Sequence, residues 1–133
     1  MSEGIVYLDS SALIKLVFEE AETSSLADFL AAWPARASST LANVEVSRTA
    51  RLVDDDFVTH DARRLLAHVH LIVPDDMLLA SATRLEPPSL RALDAIHLAT
   101  ALSLGSELAG MVVYDRRLAD AARHAGITVW APS

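Results

Sequence analysis

Ile5-Val6-Tyr7-Leu8-Asp9-Ser10-Ser11-Ala12-Leu13 sets the pattern from which the rest of the architecture follows. Four β-prone residues stop at an acid, and two serines then offer N-caps for an amphipathic segment from Ala12 to Phe18, so the order is strand, turn, helix. The same alternation continues outward. Thr23 is placed to cap a helix whose Leu26, Phe29, Leu30 and Trp33 recur at helical spacing until Pro34. Arg36 to Ser39 reads as a weak second strand, Thr40 starts a helix over 41–53, and Asp54-Asp55-Asp56 separates it from another over 57–67. A third strand is predicted over 69–73, then helices over 75–85 and, capped by Ser89, over 90–104, with Leu93, Ile96 and Ala99 turned inward and Gly105 as the stop. A strand over 111–114, a helix over 116–124 ended by Gly126, and a strand over 127–130 complete the chain. Strands alternating with helices predict a parallel sheet covered on both faces, because parallel neighbours need crossover connections.

Composition agrees. The 133 residues suit a single domain over 1–133 with one buried core. The absence of Cys excludes a disulfide scaffold and a thiolate zinc site. Ala (23) and Leu (20) dominate while aromatics are 5%, a balance that favours close-packed helices over a β-sandwich. No apolar run approaches the ~20 residues of a membrane span and no signal peptide is visible, so a cytoplasmic protein without membrane association is expected. The net charge of −7 argues against nonspecific capture of nucleic acid unless a divalent cation cancels the acids locally.

Ligands of open α/β sheets bind beyond the carboxyl ends of the strands, which singles out Asp9 and Asp115. Each has a plain alternative as a helix cap. Glu45 and Asp94 lie inside helices among apolar residues, where a buried acid needs compensation; the plain alternative is local pairing, Glu45 with Arg48 and Asp94 with Arg91. Four carboxylates on one sheet edge change the reading. At ~5 Å and an effective dielectric near 20, each ionised pair repels by roughly 3 kcal/mol, so the cluster must take up protons or bind cations. Mg²⁺ or Mn²⁺, which favour carboxylate oxygen, are the simpler solution.

Val6-Tyr7-Leu8-Asp9-Ser10-Ser11-Ala12-Leu13, Glu45 with Arg48, Leu93-Asp94-Ala95-Ile96-His97-Leu98-Ala99 and Val113-Tyr114-Asp115-Arg116-Arg117-Leu118-Ala119 together resemble the PIN-domain ribonucleases, in particular the VapC toxins of toxin–antitoxin pairs. The resemblance spans nearly the whole chain. It implies a three-layer PIN-like α/β fold with a central, mostly parallel sheet of about five strands flanked by helices. It also implies an endoribonuclease that uses Mg²⁺ or Mn²⁺, cleaves RNA phosphodiesters with a metal-activated water, and is inhibited by a cognate VapB-like antitoxin; a homodimer is expected. Carried over by position, Asp9, Glu45, Asp94 and Asp115 match the metal-binding catalytic acids, and Ser10 matches a small hydroxyl residue beside the first. Val113 departs from the pattern, since many relatives place Ser or Thr there. His97 and Asp120 are candidate auxiliaries, the first through a hydrogen bond to Asp94 or nearby backbone, the second as a further acid. Arg48, Arg116 and Arg117 are candidate contacts to RNA phosphates.

Other signals carry less. His68 and His70, read as i, i+2 on a strand, lack a third ligand and take a structural role. No nucleotide-binding glycine loop and no nucleophile elbow is present. The Leu26, Phe29, Leu30, Trp33 stripe reads as core, with a place in an antitoxin groove as its second use. Two functional alternatives stay open: a PIN-like module that binds RNA or protein without cleaving, and a receiver-like phospho-accepting domain. The latter wants a late-strand Lys, and the only Lys is Lys15.

Overall fold

The computed structural model describes residues 2–133. Five strands, β1 (Ile5–Leu8), β2 (Arg36–Ser39), β3 (His70–Ile72), β4 (Leu108–Val112) and β5 (Val129–Trp130), form one sheet in the order β3-β2-β1-β4-β5, every pair parallel. Helices α1 (Ser10–Val17) and α2 (Thr23–Leu30) connect β1 to β2, and α3 (Thr40–Val53) and α4 (Asp56–Ala67) connect β2 to β3. Helices α5 (Asp76–Thr83) and α6 (Ala92–Leu102) carry the chain from β3 to β4, and α7 (Arg116–His124) carries it to β5. The three-layer α/β expectation holds, and the sheet is wholly parallel.

The side-chain period of two on β1 divides the core. Val6 and Leu8 pack with Leu13, Leu26, Leu30 and Val46 under α1–α4, whereas Tyr7 faces Leu98, Met111 and Leu118 under α6 and α7. Connections leave β1 toward β2 on one side, and β4 lies on the other, so the junction of β1 and β4 is the topological switch point where such sheets bind ligands. Leu8 pairs with Val112, which brings the residues after both strands to that edge.

Several boundaries differ from the sequence reading, each for a local reason. Asp9, not Ser10 or Ser11, caps α1, accepting from the Ala12 amide. Thr23 lies inside α2, where its hydroxyl donates to the Lys15 carbonyl, and the helix ends at Leu30, before Pro34. β4 begins at Leu108 and ends before Val113, and β3 and β5 are shorter than expected. Asp75 caps α5, which stops at Thr83. α6 begins at Ala92 with Arg91 in the cap position and no side-chain cap bond, so Ser89 is not its cap. Leu93 is 49% exposed, while Ala95, Leu98, Ala99 and Ala101 are buried. Ala and Leu occur all round this helix, so its apolar period did not define a face; packing against both the sheet and α5 does. Among the described residues no helix is long and apolar enough to cross a membrane.

Candidate active site

Asp9 leaves the end of β1 already buried, because the turn into α1 uses its carboxylate as the helix cap. Its Oδ1 accepts from the Ala12 amide at 2.9 Å, and both oxygens accept from the Ser11 hydroxyl at 2.9 and 3.0 Å. Burial raises its pKa above the usual carboxylate value; the bonds from Ala12 and Ser11 and the nearby His97 oppose that rise, and the negative field of Asp94 adds to it. Asp94 and Asp9 are therefore electrostatic neighbours. Asp94 sits in the first turn of α6, where Arg91 Nε and a terminal guanidinium nitrogen each lie 3.0 Å from Oδ2.

Glu45 reaches the same place from the second turn of α3. Its Oε1 accepts from the Ser10 hydroxyl and lies 3.1 Å from His97 Nε2. The bond from His97, helped by Ser10 and opposed by partial burial, holds the Glu45 carboxyl below its ordinary range. Of the two local pairings set out as plain alternatives, Asp94 with Arg91 forms, whereas Glu45 with Arg48 does not, since His97 and Ser10 hold that carboxylate while Arg48 is exposed. The expected bond from His97 to Asp94 does not form either: the His97 ring is turned toward Tyr7, Ser10 and Glu45.

Asp115 follows β4 at the same sheet edge and caps α7, its Oδ2 accepting from the Leu118 amide at 3.0 Å. Ser10 is buried between Glu45 and His97. Arg116 and Arg117 are exposed at the start of α7, and Arg117 lines a groove of about 610 Å³ with Ser89, Leu90, Asp120 and His124. Asp120 is exposed on that groove, 3.5 Å from Arg123. Val113 is packed in the core between the sheet and α6–α7, so no hydroxyl stands there. His68 ends α4 rather than starting a strand, bonded to the Arg64 carbonyl, and both His68 and His70 are exposed.

Glu45, Ser10 and His97 thus bond one another directly, Asp9 lies in the electrostatic field of His97 and Asp94, and Asp115 stands at the neighbouring strand end. Among the described residues no three His, Asp or Glu side chains close on one point as a finished metal site. The donor set nevertheless fits a hard cation. Glu45 Oε2, Asp94 Oδ1 and Asp115 Oδ1 are outside the hydrogen bonds that engage their partner oxygens, leaving one carboxylate oxygen on each. Tyr7 was missed as a site residue. Its period-two position on β1 marked it as core, and its contact with His97, 90 positions away, has no local sequence signal.

Residues 6–124 match the PIN domain. The chain is 45% identical over 128 residues to ribonuclease VapC46 of Mycobacterium tuberculosis, covering 96% of this chain and 98% of that protein. It is 36% identical over 132 residues to ribonuclease VapC47 of the same species, covering 96% and 97%. Among solved structures, a toxin–antitoxin complex from Klebsiella pneumoniae superposes with a TM-score of 0.73 at 23% identity over 96% of this chain and 98% of that one. Mycobacterium tuberculosis VapC20, described as a sarcin-ricin loop cleaving toxin, gives 0.64 at 16% identity over 92% and 96%. These two share the fold, and the matched family together with the closely covered relatives settles membership: the chain belongs to the PIN-domain family, among the VapC ribonucleases.

Proposed function

We propose that this chain is a divalent-metal-dependent endoribonuclease toxin whose catalytic acids are Asp9, Glu45, Asp94 and Asp115. The observation that carries the reading is a buried carboxylate, Asp9, in the field of a second, Asp94, at the switch point of a parallel sheet, with Glu45 tied beside them through Ser10 and His97. Mg²⁺ or Mn²⁺ held by these acids would activate a water and offset charge on the scissile phosphate.

The chain's own residues do the remaining work. Asp9 is fixed by the start of α1, so it needs little reorganisation on binding. Asp94 is fixed by Arg91, and Asp115 by the first turn of α7. Arg116 and Arg117, and Arg48 on the side of α3, supply positive charge for RNA phosphates flanking an otherwise acidic cleft. Asp120, on the groove beside Arg117, is an auxiliary acid in this reading.

A cognate VapB-like antitoxin covering this edge is the proposed inhibitor, a homodimer the proposed assembly and the cytoplasm the proposed compartment. The relatives' names and the Klebsiella toxin–antitoxin complex support a toxin's partnership. PIN-domain membership leaves the receiver-like alternative without support.

The test is RNA cleavage by the purified chain with added Mg²⁺ or Mn²⁺ and with chelator. Cleavage that requires the cation, stops with chelator, and falls at least 100-fold in folded Asp9→Asn and Asp94→Asn is expected. Intact RNA across diverse substrates with either cation would overturn the enzyme and leave the non-cleaving RNA- or protein-binding module.

A further inference from the structure

Behind Glu45 a buried polar chain runs back through the molecule to the central strand. His97 is 2% exposed on α6, and Tyr7 in β1 is fully buried. Tyr7 Oη lies 2.7 Å from His97 Nδ1, with the two rings edge to face at 5.8 Å. At the other end of the imidazole, Nε2 lies 3.1 Å from both Glu45 Oε1 and Ser10 Oγ.

Donor counting fixes the direction of the bonds at Nε2. An ionised carboxylate only accepts, and Ser10 spends its single proton on Glu45 Oε1, so His97 Nε2 must bear a hydrogen to bond there. Tyr7 Oη can then donate to Nδ1. Every buried side-chain nitrogen and oxygen among the described residues has a partner, so the chain is closed. Glutamate has three rotatable side-chain bonds, and freezing them on cation binding costs free energy unless the fold has already done so.

We propose that Tyr7 and His97 are positioning residues of the cation site: Tyr7 holds His97 in its Nε2–H form, and His97 with Ser10 pins Glu45 Oε1, leaving Oε2 free for a divalent ion. The inference rests on Glu45 being a cation ligand, as in the proposed function. Groups that orient a metal ligand in this way typically change affinity 10–100-fold when removed. A purely structural Tyr7–His97 contact would change stability and leave cation affinity alone.

The experiment is Mn²⁺ binding to the purified full chain without RNA, read from the electron paramagnetic resonance of free Mn²⁺. Tyr7→Phe fills the same space and keeps the core, and it is expected to weaken Mn²⁺ about tenfold. His97→Gln, whose amide N–H can stand in for Nε2–H, should retain more affinity than His97→Leu. In the Glu45→Gln background, Tyr7→Phe should add no further loss, since the residue being positioned is gone. Wild-type Mn²⁺ affinity in folded Tyr7→Phe, or an undiminished tenfold loss on top of Glu45→Gln, would overturn the positioning role. Wild-type affinity in Glu45→Gln itself would instead overturn Glu45 as a ligand, and this inference with it.

Discussion

Asp9 serves two needs that pull in opposite directions. As the α1 cap it must accept hydrogen bonds, and as a buried carboxylate beside Asp94 it carries a charge that burial disfavours. Asn ranks with Asp as a cap, so Asp9→Asn keeps the first role and removes the second. Because burial raises the folded pKa, the acid's favourable contribution is full below its unfolded value near 3.8 and is lost as pH rises through the folded value. Asp9→Asn should therefore be more stable than the parent at pH 7 in chelator, with the gap closing as pH approaches 3.8. Glu45 has the opposite sign. His97 and Ser10 lower its pKa, so its contribution is present above the unfolded value near 4.5 and is lost as pH falls through the folded value. Glu45→Gln should accordingly lower the urea midpoint at pH 7 and cost nothing in strong acid. A lower midpoint for Asp9→Asn than for the parent at pH 7 would show that its charge is compensated within the chain. That outcome would remove the drive to bind a cation there.

At the level of helices and strands, legibility followed local chemistry. β1, β2 and α7 have the bounds the sequence predicts, because Asp9, Asp115 and Gly126 mark β1 and α7 with residues whose caps or positive φ act within three or four positions. α6 was displaced and rotated, since its inward face is chosen by α5 and the sheet rather than by its own pattern. The four acids could be proposed because strand ends and helix starts gather at one edge. The partners of Glu45 could not, because Ser10 and His97 reach it across 35 and 52 positions. Cap function and the proposed chemistry also separate at this level. Asp75 and Asp115 cap α5 and α7 alike, accepting from the amide three residues on at 2.8 and 3.0 Å. Asp75→Ala should cost about 1 kcal/mol and leave RNA cleavage intact. Asp115→Asn should keep the cap and lose cleavage, while Asp115→Ala should lose both. Paired denaturation and cleavage assays read the two properties independently, and cleavage by Asp115→Asn at the parent's rate would remove Asp115 from the proposed acids.

Across the whole molecule, the sheet edge opposite β3 is closed by packing that has no part in the acids. Gly110 in β4 lies so close to β5 that a Cβ there would come within 2.6 Å of the Thr128 carbonyl oxygen and of the Trp130 ring. The backbone oxygen cannot swing aside, so any side chain must push β5 outward. Trp130 in turn meets Phe29 at 5.1 Å and Trp33 at 5.3 Å between ring centroids, which binds β5 to α2 across one face of the sheet. This explains the Phe29 and Trp33 half of the early apolar stripe, whose Leu26 and Leu30 are buried beneath it. Gly110→Ala should cost about 1–3 kcal/mol through overpacking. Trp33 and Trp130 are the only two tryptophans, so intrinsic fluorescence reports on this cluster alone. A red-shifted emission and a lowered melting temperature are expected, with RNA cleavage preserved below the transition because Asp9, Glu45, Asp94 and Asp115 keep their own anchors at the other end of the strands. Unchanged emission with unchanged stability would mean that β5 can move without disturbing α2. A loss of cleavage in the folded variant would mean that the position of β4, and through it Asp115, depends on the edge strand.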